Sequence, residues 1–171
     1  MKNFKLNEKD ILSNQDWTFP TTTYYGPGRF NEIAKFCEEF DIKNPLIVTD
    51  SGSKDLPFIK KLIALLSKNN IKSDLFYNIS PNPRDDEISK GCDQFKNGSH
   101  DSIIAIGGGS AMDGGKSICL TVDSETPLWD FEFEQPVPKI TKENAFPKII
   151  TVPTTAGTGA ETEITAMVTL S

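Results

Sequence analysis

Cysteine is scarce: Cys37, Cys92 and Cys119 are the only three in 171 residues. They are odd in number and far apart, and no C-x-x-C occurs, so neither a zinc site nor a disulfide framework is indicated. They read as small buried hydrophobes in a reducing compartment. No window approaches 18 apolar residues, which excludes a membrane-spanning helix. Met1 to Asp10 lacks the apolar centre of a signal peptide. Positive charge is also short. Eighteen Lys and Arg against 24 Asp and Glu leave a net charge of −6, and nucleic acid as main partner would favour a basic face. A soluble cytoplasmic protein is expected, without nucleic-acid or membrane partners. At 37% hydrophobic residues the chain has enough for one core, with an arm over 1–20 and a domain over 21–171.

What is present centres on Ile103-Ile104-Ala105-Ile106-Gly107-Gly108-Gly109-Ser110-Ala111-Met112-Asp113-Gly114-Gly115-Lys116. An apolar strand runs into three glycines and then a helix start. Ser110 stands where an N-cap belongs, and Asp113 takes the acidic place of a capping box. Glycines let a backbone approach a bulky anion, and a helix start offers free N–H groups and a partial positive charge. The combination suits phosphate or pyrophosphate; a tight turn without ligand is the other reading. The dinucleotide fingerprint G-x-G-x-x-G does not fit, since Met112 holds the place of its third glycine. A Walker A loop does not fit either, since Ser110 holds the place of its first.

The remainder alternates. Thr21 to Tyr25 reads as a short strand after an arm with little regular structure, in which Trp17 and Phe19 pack on something. Phe30, Ile33, Ala34, Cys37 and Phe40 recur at helical spacing. Leu46 to Thr49 is a strand ending at Asp50. Leu56, Ile59, Leu62, Ile63 and Leu66 form a helical stripe, capped by Ser53 or Asp55. Ile71 to Tyr77 is a third strand, and Pro81-Asn82-Pro83 a rigid turn. A helix with Asp85 and Asp86 in its first turn and Ile88, Cys92 and Phe95 inside closes at Asn97-Gly98. Pro127 to Pro147 reads as a long surface loop with a helical turn, its aromatics as lid or interface packing, with a binding cage as the other reading. Lys148 to Val152 is a buried strand leading into Pro153-Thr154-Thr155-Ala156-Gly157-Thr158-Gly159-Ala160, and Ile164 to Leu170 alternates as a last strand. This order implies an α/β fold, a mainly parallel sheet with helices on both faces. Right-handed crossovers would bring Asp50, Asn82 and Gly107 to Ser110 to one rim. There Asp50 is either a ribose acceptor that repels a 2′-phosphate or a turn residue.

G-G-G-S-x-x-D-x-x-K from Gly107 to Lys116, with Pro153-Thr-Thr-Ala-Gly-Thr-Gly, Tyr25-Gly26-Pro27-Gly28, Pro81-Asn82-Pro83 and Leu46-Ile-Val-Thr-Asp50, resembles the iron-containing (group III) alcohol dehydrogenases. The resemblance implies the Rossmann-like cofactor half of an enzyme moving hydride between alcohols or aldehydes and NAD or NADP. It assigns Gly108, Gly109 and Ser110 to the pyrophosphate, with Gly107, Asp113 and Asn82 as further cofactor-binding motif residues. Thr151, Thr154, Thr155 and Thr158 fall on the nicotinamide side, and Asp50 favours NAD. Lys116 is read as holding the motif helix. A homo-oligomer is expected, self-associating through the last strand or the arm.

The family's metal, iron or zinc, is held by one Asp and three His of a helical second domain, which is expected to be missing here. His100, the only histidine, cannot form that site and reads as a surface loop residue. The chain alone is therefore expected to be inactive. A stand-alone nucleotide-binding module, and a relative of polyol-phosphate dehydrogenases or dehydroquinate synthase, are the alternatives. Gly114-Gly115 replaces the family's usual alanines. Each glycine weakens a helix by about 1 kcal/mol, unless the pair permits closer contact with the sheet.

Overall fold

A computed structural model describes residues 15–18, 21–139 and 146–171, the first of these as backbone only. Four parallel strands form the main sheet: β3 (Pro45–Asp50), β4 (Asp74–Ile79), β5 (Ser102–Gly107) and β6 (Lys148–Pro153), in the order β4-β3-β5-β6. Side chains alternate across each strand. Leu46, Val48, Ile103 and Ala105 face one layer, built on α3 (Asp85–Asn97) and α4 (Gly109–Thr121). Ile47, Ile104 and Ile106 face the other, built on α1 (Ile33–Glu39) and α2 (Pro57–Lys68). The expected two-faced parallel sheet is present. β5 is buried along its whole length, whereas β6 is only half-buried because it lies at the sheet edge.

Several expectations need correction. The stretch read as irregular arm contains a strand: β1 (Gln15–Thr18) pairs antiparallel with β2 (Thr22–Tyr25) in a separate two-stranded sheet. The side chains of Trp17 and Phe19 lie outside the described residues. The first helical stretch opens as a 3-10 turn, Arg29–Glu32, before α1. Neither Ser53 nor Asp55 caps α2. Leu56 holds the cap position in extended backbone, with Pro57 opening the helix, where its missing N–H costs nothing. The alternating segment Ile164 to Leu170 is no strand. Its backbone pairing is one bridge, with Thr169 N–H donating to the Pro83 carbonyl (2.7 Å) and Asp85 N–H to the Thr169 carbonyl (3.2 Å), while Lys116 holds the Thr165 carbonyl and Val168 packs on the core. Alternation makes a strand only where one face can be buried. Here Ile164, Met167 and Leu170 stay 93%, 75% and 70% exposed.

Three helices end alike. Asp41, Asn70 and Ser99 take positive φ (50°, 58° and 51°). The next residue's N–H then reaches back five positions, in Ile42 to Cys37, Ile71 to Leu66 and His100 to Phe95, at 2.7–3.1 Å. This is the Schellman closure, in which the residue after the left-handed one folds onto the helix it ends. It explains two departures. Ile71 closes α2 instead of opening β4. His100 is not a surface loop residue: it is 7% exposed, its ring lies 5.8 Å from that of Phe95, and Nδ1 hydrogen-bonds the Asn44 carbonyl (2.9 Å). The left-handed residue of α3 is Ser99, not Gly98, which keeps a right-handed backbone.

Candidate functional site

β4 lies on one side of β3 and β5 on the other, so the chain reverses its direction across the sheet between them. Loops leaving such a pair of strands turn to opposite faces and open a crevice at the carboxyl ends. The ladder between β3 and β5 stops at Val48–Ala105. Beyond it the buried Thr49 hydroxyl donates to the Ile106 carbonyl (2.7 Å), joining the strands where they part. Sequence reasoning missed Thr49. Its signal was a hydroxyl at the inner end of an otherwise aliphatic strand.

Gly107 ends β5 at φ +149°, where a side chain is strained. A Cβ there would also stand 2.7 Å from Ala111 Cβ and 3.2 Å from Asp50 Oδ2. The chain has turned by Gly108, which is the extended N-cap, and α4 begins at Gly109. The predicted capping box is therefore absent, because the glycines complete the turn two residues early. Ser110 lies inside the first turn, and its hydroxyl donates to the Pro81 carbonyl (2.5 Å). Asp113 lies one turn further on and pairs with Lys116 (3.5 Å). The first amides of α4 have no acceptor within their own helix. Its first turn carries no acidic side chain, whereas that of α3 carries Asp85, Asp86 and Glu87. The positive end of α4 is thus left without an anion from its own first turn.

The threonine loop sits against this turn. Thr154 N–H donates to the Gly107 carbonyl (2.8 Å), extending the β5–β6 ladder past its last pair, Gly107–Pro153. A Cβ at Gly108 would lie 3.6 Å from Thr155 Oγ1, and one at Gly109 would lie 3.8 Å from Thr158 Cγ2. Thr154, Thr155 and Thr158 are exposed, while Ala160 is buried and seats the loop on the core. Thr151 is separate from these. It lies within β6 opposite Ala105, and its hydroxyl donates to the Glu161 carbonyl (3.0 Å), fastening the returning loop.

Asp50 reaches the crevice and also closes its own turn. Oδ1 accepts from Gly52 N–H (3.0 Å) and Oδ2 from the Ser53 hydroxyl (2.7 Å). Asn82 sits exposed in the loop after β4. That loop is held by Glu87, another residue sequence reasoning passed over. Its buried Oε2 accepts from Ser80 N–H (3.1 Å), the Ser80 hydroxyl (3.0 Å) and Arg84 N–H (3.1 Å). The last of these is half a capping box; the Arg84 side chain has no acceptor with which to return it. The spacing of Arg84 and Glu87, three apart at a helix start, was the legible signal.

These loops place Asp50, Asn82, the glycine turn and the exposed threonines on one rim of a Rossmann-like α/β domain. The chain belongs to the iron-containing alcohol dehydrogenase family, whose model matches residues 20–171. It is 30% identical over 148 residues to the 1,3-propanediol dehydrogenase of Klebsiella pneumoniae, covering 85% of this chain and 37% of that one. With the NAD-dependent methanol dehydrogenase of Bacillus methanolicus it shares 27% over 150 residues, or 88% of this chain and 38% of that one. A crystal structure of 1,3-propanediol oxidoreductase superposes with a TM-score of 0.72 at 31% identity, over 80% of this chain and 34% of that one. The chain thus spans little more than a third of the length of these relatives.

The family's metal does not fit what is described. Among the described residues no three His, Cys, Asp or Glu side chains could hold an ion, and no helix is long and apolar enough to cross a membrane.

Proposed function

We propose that this chain is the dinucleotide-binding part of an NAD-dependent alcohol dehydrogenase. The observation that carries the reading is the juxtaposition of the side-chain-free start of α4 with the threonine loop across the switch-point crevice. A diphosphate there would accept from the main-chain N–H groups of Gly109 and Ser110 and would meet the positive end of α4. The Ser110 hydroxyl is already directed to Pro81, so this residue contributes its amide. Thr154, Thr155 and Thr158 offer hydroxyls to the nicotinamide half. Asp50 keeps lone pairs for a ribose and sets a negative charge against a 2′-phosphate. NAD, when bound, takes up or returns a hydride at the nicotinamide ring. The described residues supply positioning for it and no group to polarise an alcohol, so alcohols and aldehydes are substrates of the larger enzyme.

Titration calorimetry tests the reading. NAD and ADP-ribose should bind, with NADP weaker by about tenfold, the equivalent of roughly 1.4 kcal/mol. No heat with any of the three would end it. Metal-supplied chain with alcohol and NAD should form no NADH, and steady NADH formation would overturn the assignment of catalysis to a part beyond these residues.

A further inference from the structure

Lys116 is two turns into α4, with its side chain 17% exposed. Its Nζ donates to the carbonyls of Glu163 (3.3 Å) and Thr165, and it faces Asp113 Oδ1 at 3.5 Å. An ammonium has three protons and no lone pair. Two are donated to carbonyls of this chain, and the charge faces the Asp113 carboxylate, so the ammonium is engaged within the fold. The carbonyls it holds belong to the segment into which the threonine loop returns. On its way in, that loop is tied by Thr154 to Gly107; on its way out, by Thr151 to Glu161 and by Lys116 to 163 and 165. Between these ties Thr154, Thr155 and Thr158 are exposed, and Gly157 and Gly159 take positive φ, 107° and 72°. Such backbone holds one shape only when its ends are fixed.

We propose that Lys116 is a positioning residue which, with Asp113 as its counter-charge, holds the threonine loop against the glycine turn in the arrangement that receives the nicotinamide half of the dinucleotide. The inference rests on the dinucleotide reading of the crevice. It also moves Asp113 from the cofactor to the clamp, since that carboxylate is directed to Lys116.

The test compares NAD with ADP-ribose, which has the diphosphate but no nicotinamide. The wild-type chain should bind NAD more tightly than ADP-ribose. Lys116→Met should lower NAD affinity by about tenfold, the size expected for a lost charged hydrogen bond, and leave ADP-ribose affinity within about twofold. Lys116→Arg should restore most of the difference. Amide hydrogen exchange over 154–158 should speed up in Lys116→Met without ligand. If Lys116→Met does not fold, Asp113→Asn keeps the volume, removes the counter-charge, and should shift the NAD to ADP-ribose ratio in the same direction. Equal losses for the two ligands, or an unchanged ratio with unchanged exchange, would overturn the role of Lys116 while the crevice reading stands. A wild-type chain that binds neither ligand removes both.

Discussion

Gly115 shows how a residue can oppose its own helix and still stabilise the fold. A Cβ there would lie 2.5 Å from the Cβ of Ala105 on β5. The close helix–sheet contact left open by the sequence is therefore present. Gly115→Ala gains about 1 kcal/mol of helix propensity, against an overpacking cost of about 1–3 kcal/mol in a core with little room to relax. We expect a net loss, read as a lower urea midpoint with unchanged slope. The thiols make a second residue-scale prediction. Burial, with Asp101 nearby, pushes Cys37 up to about 11, and burial, with Asp123 nearby, pushes Cys119 up to about 12, from an ordinary 9.0. Above pH 9 an unfolded chain sheds thiol protons that the folded chain keeps, so stability should be level below that pH and fall through 9 to 12. Urea midpoints across this range check it, and Cys119→Ser should flatten the fall.

At the scale of elements, what could be read in advance followed periodicity. The stripe of α2 places Ile59, Leu62 and Leu66 inside, all at most 1% exposed, while Leu56 and Ile63 at its margins stay 42% and 37% exposed; the strand–glycine–helix order located the rim. Single side chains acting across loops carry no period and were misread. Ser110 and Asp113 have the right chemistry for a capping box, but the glycines turn the chain before they are reached. His100 looked like a loop residue because nothing in its neighbours announces the left-handed Ser99 that folds it onto Phe95. The loop after β4 is another such case, since Glu87 satisfies Ser80 and Arg84 from inside a helix. Glu87→Ala leaves two main-chain donors without their acceptor, at a cost of about 1–3 kcal/mol. Chemical denaturation should show that loss, with faster amide exchange at Ser80 and Arg84. Asp85 ties more distant parts: hydrogen bonds from Ser171 and Trp129 hold its carboxyl below the ordinary 3.8.

At the scale of the whole molecule, the most exposed large apolar side chains among the described residues fall late in the chain. Phe133 and Val137 are 92% and 86% exposed, alongside Ile164, Met167 and Leu170. Self-association is expected through a final strand or the arm; Ile164 to Leu170 is not a strand, so edge pairing by that segment is not its basis. We propose side-chain contact instead. Light scattering should show mass rising with concentration, and a triple Ile164→Asn, Met167→Gln, Leu170→Gln variant should remain monomeric. A monomeric parent at high concentration would count against the idea. The parallel sheet itself was readable because its alternation of elements admits few topologies. The small hairpin of β1 and β2 was not, since a strand of four residues carries too little pattern to separate it from a loop.

The fit of Gly115 onto Ala105 reaches beyond stability to inheritance. Positions on different elements share a space too small for both to carry bulk, so neither can enlarge without the other yielding. Descendants of this sequence should vary the two jointly, keeping one small whenever the other grows, and a lineage with bulk at both would need the helix lifted from the sheet and the mouth of the crevice reshaped with it.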